Sequence, residues 1–142
     1  MTDNLAINVH KALVAPVVLA LMWWFKNFST EMFVYLSLHG TYSMLWLMKQ
    51  TWYPDKRFDV TRPPWISILF VFLPLAGYYL APYLLASRHV SLPGPALAAI
   101  ISLYIFGIFF HYVSDAQKYF TLRAGPALIS DGLFRAHAIQ TI

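Results

Sequence analysis

The sequence contains no cysteine and few charged residues. The missing cysteine excludes a disulfide framework, a thiol nucleophile and a cysteine-based metal site. Charged residues occupy 11% of the 142 positions, whereas a soluble domain averages about a quarter. So few charges cannot cover a water-soluble surface, because hydrophobic residues make up 59% and aromatic residues 18% of the chain. The composition predicts a single integral-membrane domain over residues 1–142, with the lipid bilayer as its main solvent.

Four apolar segments follow one another along the chain. A helix needs about 20 residues to cross the bilayer core, and short links at 27–31 and 87–94 favour two antiparallel hairpins. We therefore expect an all-α polytopic membrane protein of about four transmembrane helices, followed by a cytoplasmic segment at 115–142. The expected spans are residues 11–28, 32–48, 65–86 and 95–114.

Charges and prolines modify the expected spans. The uncharged centre of the first span is short, so Lys11 and Lys26 are expected to extend toward the membrane surfaces from its two ends. Pro74 and Pro82 fall inside the third span and predict kinks there, since neighbouring groups must satisfy the carbonyls that proline leaves free.

Basic residues are distributed unevenly between the two ends of the expected helices. With four crossings, both termini and residues 49–64 lie on one side, and the other side carries only Lys26 and Arg88. The positive-inside rule then places both termini in the cytoplasm. The net charge of +4 is thereby explained by orientation signals, and no nucleic-acid partner is expected. The basic residues expected on the cytoplasmic side are Lys11, Lys49, Lys56, Arg57, Arg62, Lys118, Arg123 and Arg135.

A polar stripe follows one face of the second expected helix. Unpaired polar groups in hydrocarbon are costly, so this stripe should face protein or water. Two interpretations stay open: hydrogen bonds between helices, with close approach at Gly40, or the lining of a pocket. The stripe recurs at i, i+3, i+4 and i+7 and consists of His39, Tyr42, Ser43 and Trp46.

A second polar face runs out of the membrane along the fourth expected helix. It carries His111 and Asp115, and Asp115 and Lys118 are spaced for a surface ion pair. The alternative is a site that a charged cofactor approaches from the cytosol. Lys118 and Arg123 would offer cations to a phosphate or carboxylate, and Gln117 a directional amide. No glycine-rich phosphate loop occurs, and neither an HExxH motif nor another paired histidine–carboxylate spacing suggests a metal, so no metal site is expected.

Three motifs together resemble an integral-membrane superfamily. The chain is similar to the steroid 5-alpha-reductase-like and isoprenylcysteine carboxyl methyltransferase-like proteins, in particular to their uncharacterised bacterial and protist branch with a D-x-Q-K element. The similarity covers nearly all of the chain. Its motifs are His39-Gly40-Thr41-Tyr42 with Leu45-Trp46-Leu47, Tyr53-Pro54-Asp55-Lys56-Arg57, and Asp115-Ala116-Gln117-Lys118 with Arg123 and the turn Gly132-Leu133-Phe134.

The resemblance implies a helix bundle that opens to the cytosol and modifies a lipid or isoprenoid-like substrate. Its cofactor would be NADPH in a reductase or S-adenosylmethionine in a methyltransferase, and the D-x-Q-K element is common among the reductase relatives. Gln117 and Lys118 match the family's cofactor-side positions and Arg123 continues them. His39, Tyr42, Ser43, His111 and Asp115 are the candidates for pocket lining, and the catalytic residues stay unassigned.

The chain departs from the family pattern after Arg135. An R-x-P-N-Y motif and a Gly-Glu pair are expected there, but the sequence reads Ala136-His137-Ala138-Ile139-Gln140-Thr141-Ile142. This departure predicts a truncated member of the family. The cause would be a frameshift, an incomplete gene model or a short natural paralogue. Because part of the cofactor pocket's wall is then missing, we expect the chain to bind no cofactor or to bind it weakly.

Two functions therefore remain open: a membrane-embedded lipid-modifying enzyme, or a non-catalytic four-helix membrane protein with a structural or assembly role. A proton pathway through His39 and His111 is disfavoured, because no acidic residue lies at mid-membrane beside them.

Overall fold

The computed structural model describes residues 1–125, 129 and 131–134, and the chain divides into two compact units, residues 1–97 and 98–142. Within the described residues the protein is all-α, which confirms that part of the predicted fold class, and β pairing there is limited to an isolated bridge between Thr2 and Thr61. Arg135 and residues 136–142, to which the predicted departure from the family pattern refers, lie outside the described residues.

Helix α1 (Asp3–Trp24) and helix α2 (Thr30–Trp52) form an antiparallel hairpin in the first unit. α1 begins well before the predicted residue 11, because the Thr2 side chain accepts a hydrogen bond from the Leu5 N–H and caps the helix. Lys11 consequently lies within α1 and not at its first residue.

Specific contacts define the register of this hairpin. The Trp46 Nε1–H donates a hydrogen bond of 3.2 Å to Asn8 Oδ1. Near the middle of the hairpin, a Cβ placed on Gly40 would lie 4.0 Å from the Ala15 Cβ. This is an ordinary van der Waals distance, so α1 and α2 are in direct contact at Gly40, which agrees with the interhelical interpretation of the α2 stripe.

The apolar core lies toward the turn between α1 and α2. Val18 and Met22 of α1 and Met32 of α2 are each at most 1% exposed and pack with Ala86. α1 ends just before Lys26, whose left-handed backbone (φ 52°) turns the chain toward α2.

The third helix, α3 (Pro64–Ser87), is continuous but changes type along its length. It passes through a π-helical turn at Ile68–Phe72 and a 3-10 turn at Gly77–Tyr79. Each of these turns includes the residue four positions before a proline, Pro74 or Pro82, where an α-helix would leave a carbonyl without its N–H partner. The helix therefore departs from α geometry ahead of both prolines, where kinks were predicted.

Polar side chains join α1 to α3 at the end of the bundle where both helices begin. Asp3 is 7% exposed and accepts hydrogen bonds of 3.0 Å from Arg62 Nε and 3.0 Å from the Ser67 hydroxyl. The buried carboxylate thus has a cation and a hydroxyl as partners, which offsets the cost of its burial.

A second polar network joins the helices at the opposite end of the bundle. The Asn27 side-chain amide donates to the carbonyls of Leu85 (3.3 Å) and Ala86 (3.1 Å), which belong to the last turn of α3. Nearby, Glu31 in the first turn of α2 accepts a hydrogen bond of 2.9 Å from the Leu92 N–H. These contacts attach the α1–α2 turn and the residues after α3 to each other.

Helix α4 (Gly94–Ala124) supplies most of the described part of the second unit. Its 31 residues give a length of about 46 Å, well over the roughly 30 Å of a bilayer core. The helix thus continues past the predicted boundary at 114 through Asp115 and Lys118. Within the described residues, the helices long and apolar enough to cross a membrane are α1, α3 and α4.

Replacing Glu31 with Gln should lower the melting temperature at neutral pH and leave it nearly unchanged at acid pH. The hydrogen bond from Leu92 holds the pKa of Glu31 below its ordinary value. A lowered folded-state pKa contributes stability above the unfolded-state pKa, and this contribution is lost as the pH falls through the folded-state pKa. Melting curves of both proteins in detergent should approach each other as the pH falls below the ordinary glutamate pKa of about 4.3. An offset that stays constant from acid to neutral pH would contradict this interpretation.

Candidate functional site

Three aromatic rings surround the ammonium group of Lys11 in the first unit. The Lys11 Nζ lies 4.5 Å from the centroid of Tyr42, 5.8 Å from that of Trp46 and 6.0 Å from that of Tyr78. Two of the rings belong to α2 and the third to α3, so all three helices meet at this side chain. Ring faces attract cations electrostatically, most strongly where water is excluded. We call Lys11, these three rings, His10 and Ser43 the Lys11 cluster.

His10 is the most buried polar member of this cluster, at 1% exposure. Its ring lies 5.0 Å from the Tyr79 ring and meets Phe72 edge-on at 6.1 Å, while the Tyr79 hydroxyl donates to the His10 carbonyl at 3.1 Å. The Leu75 carbonyl lies beside the imidazole, but neither ring nitrogen reaches a partner with hydrogen-bond geometry. The Tyr79 hydroxyl is therefore satisfied within the bundle, and the His10 imidazole is not.

The polar stripe predicted on α2 is directed toward the other helices of the unit. Ser43 is 4% and Trp46 7% exposed, and the His39 ring stacks on Tyr35 with 4.0 Å between centroids. Of the two interpretations, the hydrogen bond from Trp46 to Asn8 supports contact between helices. The Ser43 hydroxyl, in contrast, is buried without a hydrogen-bond partner.

Sequence reasoning missed Asn8, His10 and Lys11, which the structure brings into the interior of the first unit. The missed signal is the start of α1: Thr2 is a favoured N-cap residue and Asp3 follows in the first turn. A helix begun at Asp3 directs Asn8 and Lys11 toward α2 and His10 toward α3.

The predicted cofactor-side residues lie on α4 and in the turn that follows it. In the second unit, His111 Nε2 is 3.6 Å from Asp115 Oδ2, one helical turn away. The Ser114 hydroxyl donates back to the His111 carbonyl at 3.0 Å. Lys118 is half-buried and Arg123 exposed on the same helix. Among the residues that the structure describes, no group of three histidine or acidic side chains could share a metal ion.

Gln117 connects α4 to the 3-10 turn Gly132–Phe134. Its Nε2 donates to the Asp131 carbonyl (2.8 Å) and to Asp131 Oδ1 (3.2 Å), and its Oε1 accepts from the Leu133 N–H (3.1 Å). Both amide hydrogens are therefore used within the chain. Gln117 acts on the shape of the turn, and any cofactor would meet an amide that is already engaged.

Gly132 is adapted to this contact with Gln117. Its φ is +55°, and an added Cβ would lie 2.5 to 2.8 Å from the atoms of the Gln117 amide. Both the backbone conformation and the available space thus require glycine. The D-x-Q-K and G-L-F elements, separated in sequence, form one physical unit here.

Comparison with known proteins finds no matching family model, no similar curated protein and no similar solved structure.

Replacing Gln117 with Leu should release the turn. The substitution removes the acceptor of the Leu133 N–H and both bonds to Asp131, so backbone exchange in residues 131–134 should accelerate by about fivefold or more. Hydrogen–deuterium exchange of the protein in detergent measures this. Gln50→Leu, which alters an amide in the first unit, is the control and should leave exchange at 131–134 unchanged. Equal exchange rates at residues 131–134 in the wild type and in Gln117→Leu would contradict the proposed role of Gln117 in holding the turn.

Proposed function

We propose that this chain is an integral-membrane protein related to the 5-alpha-reductase-like and isoprenylcysteine methyltransferase-like superfamily, and that it modifies a lipid or isoprenoid-like substrate. The observation that supports this most directly is the bonding of Gln117 to Asp131 and Leu133. The D-x-Q-K and G-L-F elements that carry the resemblance depend on each other physically, as expected of two parts of one site.

The cofactor would approach α4 and the turn that Gln117 holds. Lys118 and Arg123 supply cationic groups for the phosphates of NADPH or the carboxylate of S-adenosylmethionine, since charge-assisted hydrogen bonds to such groups are strong. Gln117 would act as a positioning residue, because its amide donors are already used to shape the turn. His111 and Asp115 form a polar pair one to two turns before Lys118 on α4.

The substrate pocket is proposed for the first unit, with His39, Tyr42 and Ser43 among its lining residues. All three lie on the face of α2 that packs against other helices, and Ser43 has a buried hydroxyl without a partner. Such a group in a bundle interior suits a ligand that carries a polar end.

Four crossings follow if α2 spans the membrane together with α1, α3 and α4. α2 packs along α1, with Trp46 bonded to Asn8 and Gly40 against Ala15. If α1 crosses the membrane, α2 must therefore cross it as well. Exposed tryptophans lie at both ends of the hairpin, as is typical of the two interfacial belts. They are Trp23 and Trp24 near the α1–α2 turn, and Trp52 and Trp65 at the other end.

Loop charges favour cytoplasmic termini. The link between α2 and α3 carries Arg57 and Arg62, with Lys49 at the end of α2, whereas the opposite end of the first unit carries Lys26 and Arg88. The bias is smaller than the sequence suggested, because Lys11 lies within a helix. It retains the same direction, so both termini are proposed to be cytoplasmic.

The alternative is a non-catalytic four-helix membrane protein with a structural or assembly role. The same Gln117 contacts favour it in one respect, since an amide whose donors are occupied within the chain does not need a ligand. The two functions differ in cofactor binding, which can be measured directly.

The enzyme proposal predicts that the purified 142-residue chain in detergent binds NADPH or S-adenosylmethionine. Lys118→Ala should weaken the binding by about tenfold, the effect of losing one charge-assisted contact. Arg88→Ala, in the link after α3 in the first unit, is the charge-matched control and should bind as the wild type does. If neither cofactor binds at millimolar concentration, the non-catalytic alternative is correct.

The topology is testable because the chain contains no cysteine. Single cysteines at Thr61 and Ser91, both exposed residues in the links on either side of α3, should react with a membrane-impermeant maleimide from opposite sides. In intact cells Ser91→Cys should be labelled, and Thr61→Cys only after permeabilisation. The reverse pattern would show that the termini lie outside the cytoplasm. Labelling of both cysteines in intact cells would show that α3 does not cross the membrane.

A further inference from the structure

The positive charge of Lys11 lies in the bundle without a compensating negative charge. Within the described residues Lys11 makes no ion pair and no hydrogen bond; its partners are the faces of three aromatic rings. The chain has six Asp and Glu side chains, and each of these is engaged elsewhere. Their partners are Arg62 for Asp3, Leu92 for Glu31, Arg57 for Asp55, Asn4 for Asp59, His111 for Asp115 and Gln117 for Asp131.

Two buried groups beside Lys11 have unused hydrogen-bonding capacity. His10 precedes Lys11 in α1, is 1% exposed and has two ring nitrogens without a partner. Ser43 is 4% exposed, and its hydroxyl is also without one. The antiparallel register set by Asn8 with Trp46 and by Ala15 with Gly40 places Ser43 of α2 opposite Lys11 of α1. Buried polar groups are nearly always paired, so two unpaired ones at one place require an explanation.

The chemistry of the Lys11 cluster is that of an anion site. An ammonium has three N–H donors and no acceptor, a hydroxyl donates one hydrogen, and an imidazole donates at least one. Water could satisfy the hydroxyl and the imidazole, but it would leave the half-buried cation without a counter-charge. A carboxylate or phosphate group would pair with the cation and accept from its neighbours, and the aromatic rings would form the walls around it.

We infer that Lys11, His10 and Ser43 bind the acidic head group, carboxylate or phosphate, of an amphiphilic lipid. Lys11 lies about 12 Å along α1 from its first residue and is half-buried against three aromatic rings, so its surroundings are largely apolar. A ligand with a hydrocarbon tail suits this position better than a free anion does. The inference rests on the proposed function for the lipid nature of the ligand, and it adds the charge of its head group and the residues that recognise it.

Binding to the full chain in a neutral detergent, without nucleotide or S-adenosylmethionine, tests this inference. Oleate and oleoyl lysophosphatidate are the acidic probes, and uncharged monoolein has the same tail. Isothermal calorimetry should detect binding of oleate or of lysophosphatidate. Binding of oleate identifies the head group as a carboxylate, and binding of lysophosphatidate identifies it as a phosphate. Acetate and inorganic phosphate, the same groups without a tail, should bind at least about a hundredfold more weakly, since most of the buried apolar surface is then missing.

Substitutions locate the binding site. Lys11→Gln should weaken binding of the acidic lipid by about tenfold or more, and Ser43→Ala by about fivefold. Ser43→Ala keeps the Cβ and removes a hydroxyl that no protein group uses, so it preserves the fold and gives a readout even if Lys11→Gln does not fold. Lys26→Gln is the matched control, because Lys26 also lies over a ring, 4.4 Å from the centroid of Trp23, outside the cluster.

Three results would overturn the inference: monoolein binding as tightly as oleate and lysophosphatidate, free anions binding as tightly as the lipids, or Ser43→Ala binding like the wild type. Because no cofactor is present and Lys118 is unchanged, this experiment fails or succeeds independently of the cofactor titration. Loss of cofactor binding with retained lipid binding would indicate a lipid-binding membrane protein without the proposed catalysis.

Discussion

The first unit depends on the placement of a lysine inside an apolar helix. Lys11 is held by Tyr42 and Trp46 of α2 and by Tyr78 of α3, at 4.5 to 6.0 Å from the ring centroids. A change in the register of either neighbouring helix would remove a ring and leave the charge in a poorly solvating environment. The cation therefore couples the positions of three helices, and its aromatic neighbours are constrained by charge as well as by packing.

Polar contacts at both ends of the bundle maintain this arrangement. Asp3, Arg62 and Ser67 join the starts of α1 and α3, and Asn27 joins the α1–α2 turn to the last carbonyls of α3. Between these ends, α3 changes helix type ahead of its prolines. In the second unit, the Gln117 side chain likewise attaches a turn, at residues 132–134, to a helix, α4. Both units thus use buried or semi-buried amides to fix the chain where regular helices end.

Composition was sufficient to predict the all-α class, the apolar runs and the inward-facing stripe on α2, because these depend on local periodicity. α1 begins at Asp3, ahead of the span predicted from residue 11, since polar residues such as Asn8 and Lys11 resemble a boundary when only hydropathy is considered. Contacts with α2 and α3 hold these residues against the bundle. A local sequence pattern does not predict such contacts, because the partners are distant in sequence. The pairing of Gln117 with Gly132 was likewise unpredictable, because it depends on a positive φ and on the path of the intervening chain.

The register of α1 against α2 is the claim from which the surroundings of Lys11 follow, and a single disulfide tests it. Ala15→Cys with Gly40→Cys would place two Cβ atoms about 4.0 Å apart, within the range of roughly 3.5–4.5 Å that a disulfide requires. Oxidation in membranes should close this pair almost completely, as detected by intact mass. Ala15→Cys with Thr41→Cys, an exposed neighbour on α2, should stay reduced. A reduced Gly40 pair beside an oxidised Thr41 pair would contradict the register and, with it, the aromatic surroundings of Lys11.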